Sequence, residues 1–594
     1  MSDTWGRTAG SPTWTQTLGR DLLLVVGIAA LLWLSLSTVV AGAIAPALAG
    51  ADGVTIGFGD VTAVWVGMVS EPGAPLAKIP GGGAVGPGLW WPVWLTVTLV
   101  PVFLAGWLTM RRLQTLANRK RGWAKPATVR MLMSEKSLMD RAGSLRPSTR
   151  VTEPEQLGVK LGTAISGGGE CWASLEDSVL VLAPPRMGKT TQIVIPVLLG
   201  WKGPALVTST KVDVLSATFG QRRTGPVWVI DPSGVTDWPN AVGWDVTSGC
   251  EDVRVAQNRA AAMVSAAGAG DGVQNGSYWT EQGSALLACW LAAAAHRGGS
   301  LRDALRWSQA EGGEEAAEVL AEAGLPELAR EARRFATMDP EPRSSVWSMA
   351  SLPLRGLLQP AVAAAFAPAA DARLDLDDWF ESDCGTIYLV ADEKGDSAVR
   401  GLMTALVDAV ATRAKRKAQR APGGRLDPPV AVLLDEAANI APLKDIPDLM
   451  SVAGSQSMFL MVVLQANSQG EQVWGPAGIR KLVSSATVRL LLGGGGDPDD
   501  LERWSKLIGE RDEQTVSVHV GGEGPLSTQG QIRRRSILEV AELRAIPDRE
   551  ALLLFRTMAP VMLRQVRSYE GPDADALADS EAQFRMIIDR GDRR

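Results

Sequence analysis

The sequence predicts an α/β domain with a mostly parallel sheet, interrupted by an all-α insertion and preceded by a two-helix transmembrane anchor. Three observations carry this reading. Two uncharged apolar runs lie near the N-terminus, at 22–50 and about 89–110. Short apolar runs then recur with helical stretches between many of them: Ser178–Leu182, Ala205–Val207, Val227–Ile230, Thr386–Val390, Val430–Leu434, Phe459–Leu464 and Val488–Leu492. Near-continuous Val/Ile/Leu runs of this length suit strands buried on both faces of a parallel sheet. Between about 250 and 366 such runs disappear, and Ala-rich stretches such as VRVAQNRAAAMVSAA take their place.

The first apolar run is long enough to cross a bilayer, which takes about 20 apolar residues, even if Pro46 ends its helix. A signal peptide has a shorter apolar core. In the second run Trp90, Trp91, Trp94 and Trp107 sit towards the ends, where indoles favour the headgroup region. Pro92 and Pro101 are tolerable there, with a kink expected at Pro101. Arg111, Arg112, Arg119, Lys120, Arg121 and Lys125 follow the second run, whereas the loop 51–87 has one basic residue, Lys78, and the N-terminus has Arg7 and Arg20. The positive-inside rule places both termini in the cytoplasm and the loop outside. The expected location is the inner (cytoplasmic) cell membrane, as a multi-pass protein with its large C-terminal part cytoplasmic.

This divides the chain into a cytoplasmic N-terminus (1–21) and a transmembrane anchor (22–110, helices about 22–46 and 89–110). A basic juxtamembrane stalk (111–156) follows. A nucleotide-binding domain takes 157–249 and 367–570, an all-α insertion 250–366, and a tail 571–594. Ser300 with Asp303 resembles a capping box that opens a helix of the insertion. The insertion reads as a small helical core of its own around Trp279, Trp290, Trp307 and Trp347.

The formal net charge of −6 excludes a uniformly basic surface, so any nucleic-acid contact is local. Four dispersed cysteines without a CxxC spacing, and two histidines, argue against a zinc site and a disulfide framework.

Three motifs carry chemistry. APPRMGKT, Ala183 to Thr190, follows a strand and precedes a helical run, the context of a phosphate-binding loop. Pro185, Arg186, Met187, Gly188, Lys189, Thr190 and Thr191 would line a nucleotide's phosphates. Lys189 reaches the β- and γ-phosphates, and Thr190 holds Mg²⁺. The usual pattern begins with Gly, where this chain has Ala183. In PVAVLLDEAANIAPL, an apolar strand ends in Asp435 and Glu436. Carboxylates at the C-terminal edge of a buried parallel strand lie where ligands bind in open α/β sheets. Asp435 is the candidate Mg²⁺ ligand, and Glu436 the group that positions or polarises the attacking water. In MFLMVVLQANSQ, a strand ends at Gln465, placed to sense the γ-phosphate or orient water. Thr208 to Lys211 and Asp231 to Ser233 are further polar strand ends, of a kind that more often makes turns and caps. The expected fold is an α/β P-loop NTPase, RecA-like, with ATP and Mg²⁺ as cofactors.

These segments resemble the coupling proteins of type IV secretion and conjugation, the TraG/TraD type, within the FtsK/HerA class of hexameric translocases. The resemblance covers nearly the whole chain. It includes the two membrane helices, VLAPPRMGKTTQIVIPVLL, TSTKVDVLSAT, VIDPSG, the all-α insertion, LLDEAANIAPLKDIPDLM, VVLQANSQGEQVWG and ILEVAELRAIPDREALLLFRTMAPVMLR, in matching order and spacing. It implies an ATPase that delivers DNA, single- or double-stranded, or a relaxase–DNA substrate to the channel components of a secretion system, working as a homo-hexamer. It also implies that the all-α insertion helps receive substrate. In place of the family's Arg-bearing turn that acts across the subunit interface, this chain has AGSQSM, Ala453 to Met458, without a basic residue. That moves the role to another residue, Arg480 or Arg489, or leaves it weak. Two alternatives accompany the leading reading: a protein-secretion ATPase that handles no DNA, and a membrane-tethered nucleotide-binding scaffold with little turnover.

Overall fold

A computed structural model describes residues 14–51, 53–117, 122–270, 272, 274–310, 314–392, 396–519 and 527–591. Arg7, Arg119, Lys120 and Arg121 lie outside the described residues, as do Arg593 and Arg594 and the side chains of Arg20, Arg111 and Arg112. The chain forms two compact units, Met1–Lys120 and Arg121–Arg594.

The first unit contains two long helices, Trp14–Ala49 and Pro87–Ala117. Within them 27–49 and 87–108 are long and apolar enough to cross a membrane, with mean hydropathies of 2.1 and 1.6. Pro46 does not end its helix, which continues to Ala49, and Pro92 and Pro101 both lie inside theirs.

The second unit is built on an 11-stranded sheet. Its strands are β1 (Gly158–Ala164), β2 (Glu170–Ser174), β3 (Val179–Leu182), β4 (Ala205–Ser209), β5 (Val227–Ile230), β6 (Thr386–Val390), β7 (Val430–Leu434), β8 (Met458–Leu464) and β9 (Val488–Leu492). Two further strands, β10 (Glu510–His519) and β11 (Ser527–Ser536), pair only with each other, and β12 (Glu550–Phe555) and β13 (Val561–Arg564) complete the sheet. The order is β2-β1-β13-β12-β9-β3-β8-β7-β4-β6-β5. From β9 to β5 neighbouring strands are parallel, and β3, β4, β6, β7 and β8 are buried at every position. Continuous apolar runs such as VLVL and MFLMVVL suit such strands because helices cover both faces. β12, β13, β1 and β2 extend the sheet antiparallel.

The order places β8 between β3 and β7. All three are parallel, so their C-terminal ends open on one edge, with the residue after β8 between the loop after β3 and the turn after β7.

The helical region lies between β5 and β6, and Ser300 caps its helix Leu301–Gln309 in a box with Asp303. Its entry and exit run side by side: Trp244 N–H donates to the Ala365 carbonyl at 2.8 Å, and Gly243 bridges Arg373 in parallel. Trp290 and Trp347 meet edge-to-face at 5.3 Å, and Trp347 Nε1–H donates to the Ser308 carbonyl. This core is not separate, however. One apolar cluster runs from Leu180 and Leu206 on the sheet, through Leu402 and Leu406 of the helix Ser397–Arg420, to Leu286, Trp290 and Phe335. The helix Val253–Ala266 packs on Ser397–Arg420, so the helical region closes a face of the sheet core as well as its own interior.

Asp408 sits on that shared helix. Burial pushes its carboxyl up to about 6, with the Arg259 guanidinium lowering it and Asp445 raising it. A folded-state value above the unfolded one means that ionisation destabilises the fold. The penalty is absent below the ordinary carboxylate range, grows as pH rises through it, and is complete above about 6. Asp408→Asn should therefore stabilise the protein by about 3 kcal/mol at pH 8 and by roughly half of that at pH 5. Thermal unfolding of the two proteins at both pH values measures it, and equal gains at both would place the effect elsewhere.

Candidate active site

β3 delivers the chain to the phosphate-binding loop. Ala183 N–H still donates to the Leu464 carbonyl, so the residue after β3 stays zipped to β8. The loop then turns through two left-handed positions, Arg186 (φ 66°) and Gly188 (φ 75°). Gly188 suits its left-handed backbone, and a Cβ there would lie 2.2 Å from Gln192 Nε2, so the Gln192 side chain would have to move. Ala183 is not among the left-handed positions and is fully buried, so the missing first glycine places no strain on the loop. Thr190–Val194 winds as a π-turn before the helix Ile195–Gly200.

The second element comes off β7. Thr208 at the end of β4 donates its hydroxyl to the Asp435 carbonyl at 2.9 Å, holding the turn. Glu436 adopts a left-handed conformation (φ 56°), and the short helix Ala437–Ile440 follows it. A non-glycine residue held there marks a backbone constrained by its surroundings. Asp435 is 4% exposed and Glu436 8%.

These segments converge on one cluster. Lys189 Nζ lies 2.6 Å from Glu436 Oε1 and 3.3 Å from Asp435 Oδ1. Thr190 Oγ1 donates to Asp435 Oδ2 at 3.2 Å. Gln465, directly after β8, donates Nε2–H to Glu436 Oε1 at 2.9 Å. Lys189, Thr190, Asp435, Glu436 and Gln465 are thus brought together from positions up to 276 residues apart. Thr191 turns its hydroxyl back to the Gly188 carbonyl, and Pro185 and Arg186 are exposed at the loop tip. Asp231 spends its carboxylate on its own turn, accepting from Ser233, Val235 and Thr236.

The two adjacent carboxyls are pushed in opposite directions. Burial raises Asp435, and Lys189 offsets this only in part while Glu436 adds to it. Burial also raises Glu436, but there the Lys189 ammonium and the Gln465 amide outweigh it and hold the carboxyl below its ordinary range. The same burial thus acts on both acids, and the difference lies in how strongly Lys189 and Gln465 oppose it.

The donors fit a small hard cation. Asp435 Oδ1 is buried and faces only the Lys189 ammonium, at 3.3 Å, Glu436 Oε2 is buried beside it, and Thr190 adds a hydroxyl oxygen. Among the described residues no three His, Cys, Asp or Glu side chains form a metal cage. Mg²⁺ takes one or two protein oxygens and completes its shell with water and phosphate, so the Thr190 hydroxyl and the Asp435 carboxylate would be enough to hold it.

One contact of this segment was not legible in the sequence. Gln192, 3% exposed, donates to Asp548 Oδ1 at 3.1 Å, and Arg567 pairs with the same carboxylate. Gln192 stands two residues after Thr190, which is a signal of sorts, whereas nothing near Asp548 points to the site. Of the arginines considered for a role between subunits, Arg489 is level with Leu180, short of the sheet edge, and donates to the Val483 and Ser484 carbonyls of its own chain. Arg480 is exposed, far along the helix Asn467–Ser485 from its start beside β8. The turn Ala453–Gln456 is packed onto its own chain: a Cβ on Gly454 would lie 1.9 Å from the Glu176 carbonyl oxygen.

A phosphate-binding loop after one central strand, paired carboxylates after another and a glutamine between them define the class: an α/β P-loop NTPase fold. Residues 429–548, which include Asp435, Glu436 and Gln465 and end at Asp548, match the family model described as the TraM recognition site of TraD and TraG. The fold is similar to that of the bacterial conjugative coupling protein TrwBdeltaN70 in an unbound form, 18% identical with a TM-score of 0.54, over 72% of this chain and 93% of that one. It is equally similar to plasmid coupling protein TrwB in complex with ADP and Mg²⁺, 18% identical with a TM-score of 0.53, over 72% and 92% of the two chains. No curated protein matches the chain. The family match and the fold together support the resemblance to the TraG/TraD coupling proteins.

Proposed function

We propose that the chain is a membrane-anchored ATPase of a conjugative or type IV secretion system that couples DNA or a nucleoprotein substrate to the transfer channel. The observation that carries this is the meeting of Lys189, Thr190, Asp435, Glu436 and Gln465 at one edge of a TrwB-like fold. The named relatives add support. TrwB is a plasmid coupling protein solved with ADP and Mg²⁺ and with a non-hydrolysable ATP analogue. A TraM-like protein is a natural partner for residues 429–548. The two apolar helices serve as the membrane anchor, with the second unit in the cytoplasm and a ring of six as the working form.

The chemistry follows from the cluster. Loop amides and Lys189 bind the β- and γ-phosphates, and Thr190 and Asp435 would hold Mg²⁺, which when bound neutralises phosphate charge. Lys189 exchanges its carboxylate partners for phosphate oxygens. Glu436 then loses the cation that holds its pKa down and becomes a better proton acceptor. Gln465 orients a water between Glu436 and the γ-phosphorus. The water oxygen bonds to phosphorus as the bridging bond to ADP breaks, and Glu436 takes the water proton.

The test is ATP turnover by the purified full chain with single-stranded DNA, with double-stranded DNA and without either. We expect turnover that DNA stimulates and that salt weakens, because phosphate contacts release counterions. Turnover indifferent to DNA would make the chain a protein-secretion ATPase, and nucleotide binding without turnover would make it a docking scaffold.

A further inference from the structure

The segment between the two long helices is itself folded onto them. Its ten-residue helix Val61–Ser70 carries no charge and is bracketed by Asp60 and Glu71. Val61 and Val64 are buried. The seating is close: a Cβ on Gly42 would lie 2.5 Å from Ile56 Cβ, and one on Gly67 would lie 2.4 Å from the Pro75 carbonyl oxygen. Two indoles converge on one hydroxyl. Trp65 Nε1–H and Trp94 Nε1–H each donate to Thr38 Oγ1 at 3.0 Å, and that hydroxyl donates to the Leu34 carbonyl at 2.7 Å.

The height of this knot follows from the sequence. Thr38 comes 17 residues after Asp21, and Trp94 comes 17 before Arg111, the charged residues that bound the two apolar runs. At 1.5 Å per residue both lie about 25 Å from the charged boundary. A hydrocarbon core is about 30 Å thick, so Trp65 is held at its outer edge, the level that indoles favour. A ten-residue helix at that level is too short to span and has no charged face to turn to water. Its outward side carries Thr62, Val66, Val69 and Ser70; Val69 is 85% and Val66 51% exposed, and Ser70 turns its hydroxyl back to the Val66 carbonyl. The first long helix also exposes apolar side chains, Leu36, Val40 and Ile44.

We propose that Val61–Ser70 is an interfacial helix that lies on the outer leaflet and seats Val66 and Val69 among the lipid acyl chains. The segment 51–86 is then a membrane-seated cap rather than a free external loop. Asp60 and Glu71, one at each end, reach the hydrated headgroups while the valines between them are in lipid. The inference rests on the membrane placement proposed above.

The experiment uses the full chain with Cys384, the half-buried native thiol, replaced by Ser. Single cysteines at Val69 and, in a separate protein, at Phe103 on the second long helix (80% exposed) are labelled with bimane and placed in phosphatidylcholine/phosphatidylglycerol vesicles. The probes are 5-doxyl and 12-doxyl phosphatidylcholine and external iodide. The expected result is that 5-doxyl lipid quenches the Val69 label at least about twofold more than iodide or 12-doxyl lipid does, as for a shallow interfacial helix. The Phe103 label should be quenched best by 12-doxyl lipid. A Val69 label quenched by iodide alone, beside a lipid-quenched Phe103 label, overturns the cap and leaves the membrane placement standing. Protection of Val69 from every quencher also overturns it, because the face is then covered by protein. A Phe103 label that no doxyl lipid reaches overturns the membrane placement itself. Val66→Cys repeats the test if Val69→Cys does not fold.

Discussion

Glu436→Gln should bind ATP and Mg²⁺ nearly as well as the native protein and turn over about 10²–10⁴-fold more slowly, the range that a positioned general base supplies. The substitution keeps the shape and removes the proton acceptor. Asp435, the proposed cation ligand, is untouched, and so is its bond from Thr190. Lys189 loses one of its two carboxylate partners, at 2.6 Å, and keeps the other, at 3.3 Å. A lysine less tightly held in the free protein would release to phosphate more readily, so ATP affinity should hold or rise. The measurements are nucleotide binding by titration and single-turnover hydrolysis. Hydrolysis at the native rate would remove Glu436 from the chemistry and move the base elsewhere.

Lys189→Ala should lose both activities: turnover at background, and ATP affinity weaker by about 10–100-fold, as expected for one charge-assisted hydrogen bond. Lys189 is the cation that both buried carboxylates face. Without it Asp435 and Glu436 are neighbouring buried acids with no counter-charge, and the lowering of Glu436 is lost with its main opposing influence. The variant should therefore also unfold at a higher temperature when acidified slightly, because protonating one acid relieves the repulsion. Melting curves at two pH values read this beside the binding titration. Normal turnover in this variant would overturn the assignment of the loop. The contrast between the two variants, binding kept in one and lost in the other, separates a base from a phosphate ligand.

Much of the site was legible because its signals are local. APPRMGKT between an apolar strand and a helix, the carboxylates after VAVLL and the glutamine after MFLMVVL each mark a strand end by the change from apolar to polar. The central strands were legible too, since burial on both faces demands uninterrupted apolar runs. β12 and β13 were not picked out as strands, although ALLLF in β12 is an apolar run of the same kind.

What the sequence by itself determined is therefore the set of parts: two apolar helices, buried parallel strands, and the residue types at their ends. The tertiary structure alone decided their arrangement. Only the strand order puts β8 between β3 and β7, and so Gln465 within reach of Glu436. Only the fold shows that Ala183 needs no glycine, that Gln192 leans on Asp548 at a distance of 356 residues, and that Arg489 is occupied by its own chain's carbonyls. The helical region read as a core of its own shares one with the sheet through the helix Ser397–Arg420. The reason is common to these cases. Local patterning records whether a residue is buried and in what backbone, because one segment's own period carries that information. Which segments meet depends on contacts between distant residues, and no window of sequence contains both partners.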